Sequence, residues 1–140
     1  MRDLMSWEEC TGAFMRKVSF DPARYNSIVE TAQERARFLH SLKVSEKNVS
    51  FIFEQYYEVI KELLVALLLK KGMRSKNHQC LFTFFAREYP SYEAEVNTIS
   101  QMCFLRNRLD YYGEKVDYTY FKENYKSFEA IMGLLLKLVQ

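Results

Sequence analysis

The sequence predicts an all-α domain, an up-and-down bundle of four to five helices with a long C-terminal pair. Three observations predict it. Apolar residues recur at steps of three and four along most of the chain, as helices with one buried face require. Helix start and stop residues punctuate those runs at Asp21-Pro22, Gly72, Pro90, Gly113 and Asp117. The chain holds only four Gly and two Pro, fewer turn residues than a sandwich or barrel of short strands uses.

The 140 residues are enough for one domain with a real core, read as an N-terminal helix or arm (1–20) and a bundle (21–140). A hydrophobic fraction of 49% and a charged fraction of 27% mark a globular chain, not a disordered one. The net charge of +2 gives no argument for nucleic acid or membrane, although a local basic patch stays open. Cys10, Cys80 and Cys103 are widely spaced and form no CxxC pair, so no metal site or redox motif is expected. They read as buried thiols in a reducing cytosol, and the chain as cytoplasmic. Asp3, Glu8 and Glu9 stand where a signal peptide would be basic and apolar. The apolar run Leu63 to Leu69 is too short to span a bilayer, so no membrane partner is expected.

Leu4 to Lys17 reads as a helix, with Leu4, Trp7, Cys10 and Phe14 on one face; Gly12 weakens it. Asp21 and Pro22 then form an N-cap and first turn. That helix runs to about Leu42, with Tyr25, Ile28, Val29, Ala32, Ala36 and Leu39 as its apolar stripe. Ser45 or Asn48 caps the second helix. It runs to Lys71, stops at Gly72, and is apolar almost all round from Leu63 onward, which makes it the central helix. Glu54, Glu58 and Glu62, spaced by four, mark one polar edge of it. The third helix begins near Ser75 to Asn77 and ends before Pro90. Its Phe82, Phe84 and Phe85 read as core rather than as base-stacking residues. The fourth runs from Ser91 to about Tyr112. The last is capped by Asp117 and carries Phe121, Tyr125, Phe128, Ile131, Met132, Leu135 and Leu138.

The stretch that departs from bundle patterning is Leu105-Arg106-Asn107-Arg108-Leu109-Asp110-Tyr111-Tyr112-Gly113. On a 3.6-residue helix Arg106 and Asp110 lie about 40° apart, and Tyr111 about 140° from Arg106. Guanidinium groups suit phosphate oxygens with paired donors, so Arg106, Arg108, Asp110 and Tyr112 are candidate ligand-binding residues. Glu54, Glu58 and His78 are candidate supports. His78 has no second ligand nearby in sequence, so a metal is not expected there. The basic cluster Lys70, Lys71, Arg74 and Lys76 reads first as helix capping and a solvated turn, and second as a contact for nucleic-acid phosphates.

Arg106 followed by Asn107 near a helix end resembles the signature of HEPN domains, which are small helical bundles. The preceding helix that ends at Gly72, the following Ser75-x-Asn77-His78, and the final helix after Gly113 resemble that class too. The likeness covers roughly residues 20 to 139. It implies a homodimer, with no cofactor, and either metal-independent ribonuclease activity or partnership with a small nucleotidyltransferase in a toxin–antitoxin pair. Tyr111 occupies the position of the family's catalytic His. A phenol with a pKa near 10 is a poor base at neutral pH, against about 6.5 for imidazole. Gly113 stands where the nucleotidyltransferase-paired subgroup carries a modifiable Tyr.

Three functions follow. The first in rank is a non-catalytic module that binds a nucleotide, RNA or a nucleotidyltransferase partner through the Arg-rich patch. The second is a ribonuclease using Arg106, Asn107 and Tyr111. The third is a structural dimerisation bundle in which the patch is a salt-bridge network. The discriminating feature is whether Arg106 faces an open cleft or is satisfied by Glu54 or Glu58.

Overall fold

The computed structural model describes residues 4–140; Asp3 lies outside them. The chain is an all-α bundle. Helix α2 (Pro22–Ser41) starts as its sequence dictates, with Asp21 accepting a hydrogen bond from the Arg24 N–H and Pro22 in the first turn. Helix α3 (Val49–Lys70) is buried along most of its length. It ends where Gly72 takes φ 75°, a backbone region that costs a side-chain-bearing residue strain. Helix α4 (His78–Glu88) is capped by Asn77. A short 3-10 turn (Pro90–Tyr92) leads into α5 (Glu93–Tyr112), the fourth helix expected from the sequence. Gly113, at φ 68°, closes α5 by donating its N–H to the carbonyls of Arg108 and Leu109. Asp117 then caps α6 (Tyr118–Leu138).

Helix α3 is the central element and packs against α2, α4, α5 and α6. A helix apolar on every side can be satisfied only by neighbours on every side. Its Phe53 and Tyr56 meet Phe128 of α6 at centroid distances of 5.7 and 6.2 Å, and Tyr56 meets Phe121 at 5.8 Å. Phe82, Phe84 and Phe85 of α4 are buried, as core packing requires. Helices α3 and α5 run antiparallel, since Glu54 meets Asp110 while Glu58 meets Arg106. Val116 donates its N–H to Ser50 Oγ at 2.9 Å and ties the α5–α6 connection to the start of α3.

The N-terminal segment corrects two expectations. Leu4 to Lys17 is not one helix. It forms a short helical turn, α1 (Trp7–Glu9), a π-helical turn over Cys10–Phe14, and a strand, β1 (Met15–Lys17). Strand β1 pairs antiparallel with β2 (Met73–Ser75), in the register Met15 to Ser75, Arg16 to Arg74 and Lys17 to Met73. The pairing extends one residue at each end, through Val18 N–H to the Gly72 carbonyl and Lys76 N–H to the Phe14 carbonyl. Helical spacing could be read only locally; Gly12 weakens the helix, and a partner strand remote in sequence takes the backbone bonds. The cysteines also differ from expectation. Cys10 and Cys80 form a disulfide across a sequence separation of 70, and only Cys103 is a free, buried thiol. No helix among the described residues is long and apolar enough to cross a membrane.

Candidate functional site

The face shared by α3, α5 and the start of α4 carries a continuous polar network. Its centre is Arg106, whose side chain is 20% exposed. The α-helical rise brings Asp110 one turn away, and Arg106 Nε lies 3.1 Å from Asp110 Oδ2. That contact is an ion pair by distance, yet the buried Nε–H is not aimed at the oxygen and makes no hydrogen bond among the described residues. Arg106 also reaches Glu58 Oε1 at 3.4 Å and donates to Asn107 Oδ1 at 3.3 Å. Its guanidinium stands 5.7 Å from the Tyr57 ring centroid. Lys61 completes the cation side, 2.7 Å from Glu58 and 3.4 Å from Glu62.

The carboxylate side is arranged just as closely. Glu54 and Asp110 face one another across α3 and α5, an arrangement in which a proton on Glu54 relieves the repulsion between two carboxyl groups. The Asp110 carboxyl, as a partner for that proton and as a negative charge, acts with partial burial to push the Glu54 carboxyl up to about 7. His78, from the first turn of α4, joins the network through Nδ1, 3.3 Å from the Tyr57 hydroxyl. Burial pushes its imidazole below the ordinary histidine value, and the facing cations Lys61 and Arg106 push it the same way. Burial raises the Tyr57 phenol, with the neighbouring Cys103 adding to the shift.

Of the residues singled out in the sequence, the fold brings together Arg106, Asn107, Asp110, Glu54, Glu58 and His78. It separates Arg108, Tyr111 and Tyr112 from them. Tyr111 is 74% exposed and Tyr112 70%, so both tyrosines project into solvent at the tip of α5. Arg108 stacks on Tyr112 with its guanidinium carbon 4.9 Å from the ring centroid, and pairs with Glu114 through two hydrogen bonds. Arg106 is held by Glu58 and Asp110 and does not line the neighbouring α2–α3 cleft. The neighbouring cleft between α2 and α3, about 290 Å³, is lined by Ser27, Thr31, Arg35, Glu58 and Glu62. Glu58 therefore stands on its wall and Arg106 behind it. Lys61 and Tyr57 belong to the network and were missed in the sequence. Lys61 had a signal, its position three residues beyond Glu58 and next to Glu62. Tyr57 reads as an ordinary core aromatic. Among the described residues, no group of three His, Cys, Asp or Glu is placed to hold a metal ion.

The shared proton gives the network a pH dependence. Glu54 is raised in the fold, so between its ordinary value of 4.5 and about 7 the folded chain keeps a proton that the unfolded chain has released. Its stabilising contribution is complete below the unfolded value and is lost as pH rises through about 7. Glu54→Gln supplies a permanent donor to Asp110. The variant is expected to match the wild type near pH 4 and to exceed it at pH 8. One restored hydrogen bond of about 1 kcal/mol corresponds to a Tm gain of about 3 °C. Thermal unfolding at the two pH values reads it; equal Tm differences at both would remove the shared proton from the account.

The chain matches no family model, no curated protein and no solved structure.

Proposed function

We propose that the chain is a non-catalytic binding module that docks a protein partner through the tip of α5. The observation that carries this reading is the division of the Arg-rich segment into two unlike halves. Arg106 faces inward and is held by Glu58 and Asp110, while Arg108, Tyr111 and Tyr112 face outward. A phosphodiester cleavage site built on Arg106, Asn107 and Tyr111 needs all three around one phosphate, and the exposed Tyr111 does not meet the other two. Local charge argues the same way. Lys61 and Arg106 are matched by Glu58, Glu62 and the ionised member of the Glu54–Asp110 pair, so the network offers no surplus positive charge to a phosphate.

The outward half has the composition of a contact surface. Tyrosine and arginine are enriched where proteins meet, since each presents large contact area with a polar end. Arg108 is neutralised by Glu114, which favours a protein surface over a nucleic-acid backbone at this tip. The HEPN resemblance makes a small nucleotidyltransferase the partner class to test.

The deciding experiment has two arms. Labelled single-stranded RNA incubated with the purified chain under chelation is expected to stay intact; cleavage that Arg106→Ala abolishes would make the protein a ribonuclease instead. Co-expression with a small nucleotidyltransferase, followed by capture, is expected to give a complex that Tyr111→Ala with Tyr112→Ala weakens about 100-fold, the effect of two interface anchors at roughly 1–2 kcal/mol each. Capture indifferent to the pair, or none at all, would leave the tip as bundle surface.

A further inference from the structure

A group of unpaired cations lies at the opposite end of α3 from the α5 tip. Strands β1 and β2 place Arg16 directly across from Arg74. Residues opposite one another in an antiparallel pair share a face, so the two guanidinium groups stand side by side on the ribbon. The other face carries Met15 and Met73, which pack against the core. Lys76 continues the outward alternation beyond β2, whereas Lys17, opposite Met73, belongs to the other face at the end of β1. Among the described residues, none of Arg16, Lys17, Arg74 and Lys76 forms an ion pair. Like charges directly opposite destabilise a strand pair. A ribbon of only three residues per strand gains little to offset that cost, and an anionic ligand would remove it.

A second observation points to the kind of anion. Phe20, just past the end of β1, is 41% exposed, a large aromatic left open beside the ribbon. Lys70 Nζ stands 5.6 Å from its ring centroid, and Tyr25 flanks it at 5.6 Å between centroids. A basic track that ends on an exposed aromatic ring suits unpaired nucleotides, whose phosphates take the cations and whose bases stack. A duplex, with its bases already stacked on one another, has no use for Phe20.

We infer that the β1–β2 ribbon is a binding surface for single-stranded nucleic acid, with Arg16, Arg74 and Lys76 on the phosphodiester backbone and Phe20 stacking a base. The inference is independent of the partner reading, because the ribbon and the α5 tip lie at opposite ends of the α3 helix. It also gives Lys70 and Arg74 different tasks within one basic cluster: Lys70 is held over aromatic rings, whereas Arg74 is free for the ligand. Lys71 is occupied by Glu88, 2.7 Å away.

The test is fluorescence anisotropy of the full chain with a labelled mixed-sequence single-stranded RNA 20-mer, its DNA counterpart and the matching duplex, titrated over salt. Three phosphate contacts predict a log–log salt slope of about −2.1 on the single strand. Arg16→Gln with Arg74→Gln is expected to reduce that slope by about 1.4 and weaken binding at low salt at least tenfold. Phe20→Ala is expected to weaken the single strands roughly tenfold and leave the duplex unchanged. Lys43→Gln with Lys47→Gln makes the same change in charge elsewhere and is expected to leave binding intact. A separate reading guards against misfolding: the Arg16/Arg74 double variant should melt at or above the wild-type temperature, since it removes a repulsion. No binding at 50 mM salt, equal losses in the Lys43/Lys47 control, or affinity for anionic phosphatidylserine vesicles without affinity for RNA or DNA would each overturn the inference.

Discussion

Replacing Cys10 and Cys80 together by alanine is expected to lower the unfolding free energy by about 3 kcal/mol and the Tm by about 10 °C. The bridge closes a loop with a sequence separation of 70, and without it the unfolded chain regains the freedom that the closed loop denies. The chain-entropy description gives about 4 kcal/mol for a loop of that size, and measured bridges commonly deliver somewhat less. The effect has a location as well as a size. Both cysteines are fully buried, and the bridge fastens the π-helical turn before β1 to α4 after β2. The ribbon therefore sits between the two bridged positions. In the double variant the backbone bonds of Val18 to Gly72 and of Lys76 to Phe14 should open before the bundle does. Amide exchange at Val18 and Lys76, set against exchange in α3, reads that order. Reductant should shift the wild type by the same amount and leave the variant unmoved; a wild type indifferent to reductant would mean that the bridge contributes nothing.

The parts of this fold that the sequence made legible are those whose signals are local. Asp21-Pro22, Gly72, Gly113 and Asp117 act on the turns beside them, and each marks a helix boundary in the structure. The all-round apolar character of the helix after Leu63 was enough to place it at the centre. The ribbon was hidden because neither strand has a pattern of its own. Met15–Lys17 and Met73–Ser75 are too short for alternation to register, and each exists because the other is there. The same holds for the bridge, since the spacing of three cysteines does not say which two meet. At the candidate site, the one-turn offset of Arg106 and Asp110 and the four-residue spacing of Glu54 and Glu58 left a salt-bridge network open as one of the alternatives, and the structure places Arg106 against Glu58 and Asp110. The joining of Glu54 to Asp110 depended on how α3 and α5 align, which helical periodicity does not encode.

Arg106→Ala is expected to cost about 2 kcal/mol at pH 6 and more at pH 8, with the helical content unchanged. A fully buried ion pair broken on one side costs roughly 3–5 kcal/mol; Arg106 and its partners keep some access to water, which reduces the penalty. The loss arises from what remains. Glu58 keeps Lys61, but Asp110 and Glu54 lose the cation that faces them among the described residues. Below about pH 7 the proton shared by Glu54 and Asp110 limits the damage. The Arg106 guanidinium holds the Glu54 value down, so without it the folded variant keeps that proton to higher pH and pays more than the wild type when Glu54 ionises beside Asp110. The deficit should therefore widen as pH rises through about 7. Adding Glu54→Gln to Arg106→Ala should recover most of the extra loss at pH 8 and little of the loss at pH 6, a coupling that independent sites would not show. Because the α5 tip and the ribbon do not depend on Arg106 directly, partner capture and nucleic-acid binding by the folded variant should stay within about twofold of wild type. A deficit that is flat with pH would reduce Arg106 to its packing against Tyr57, and loss of partner capture by a well-folded variant would place Arg106 at the docking surface itself.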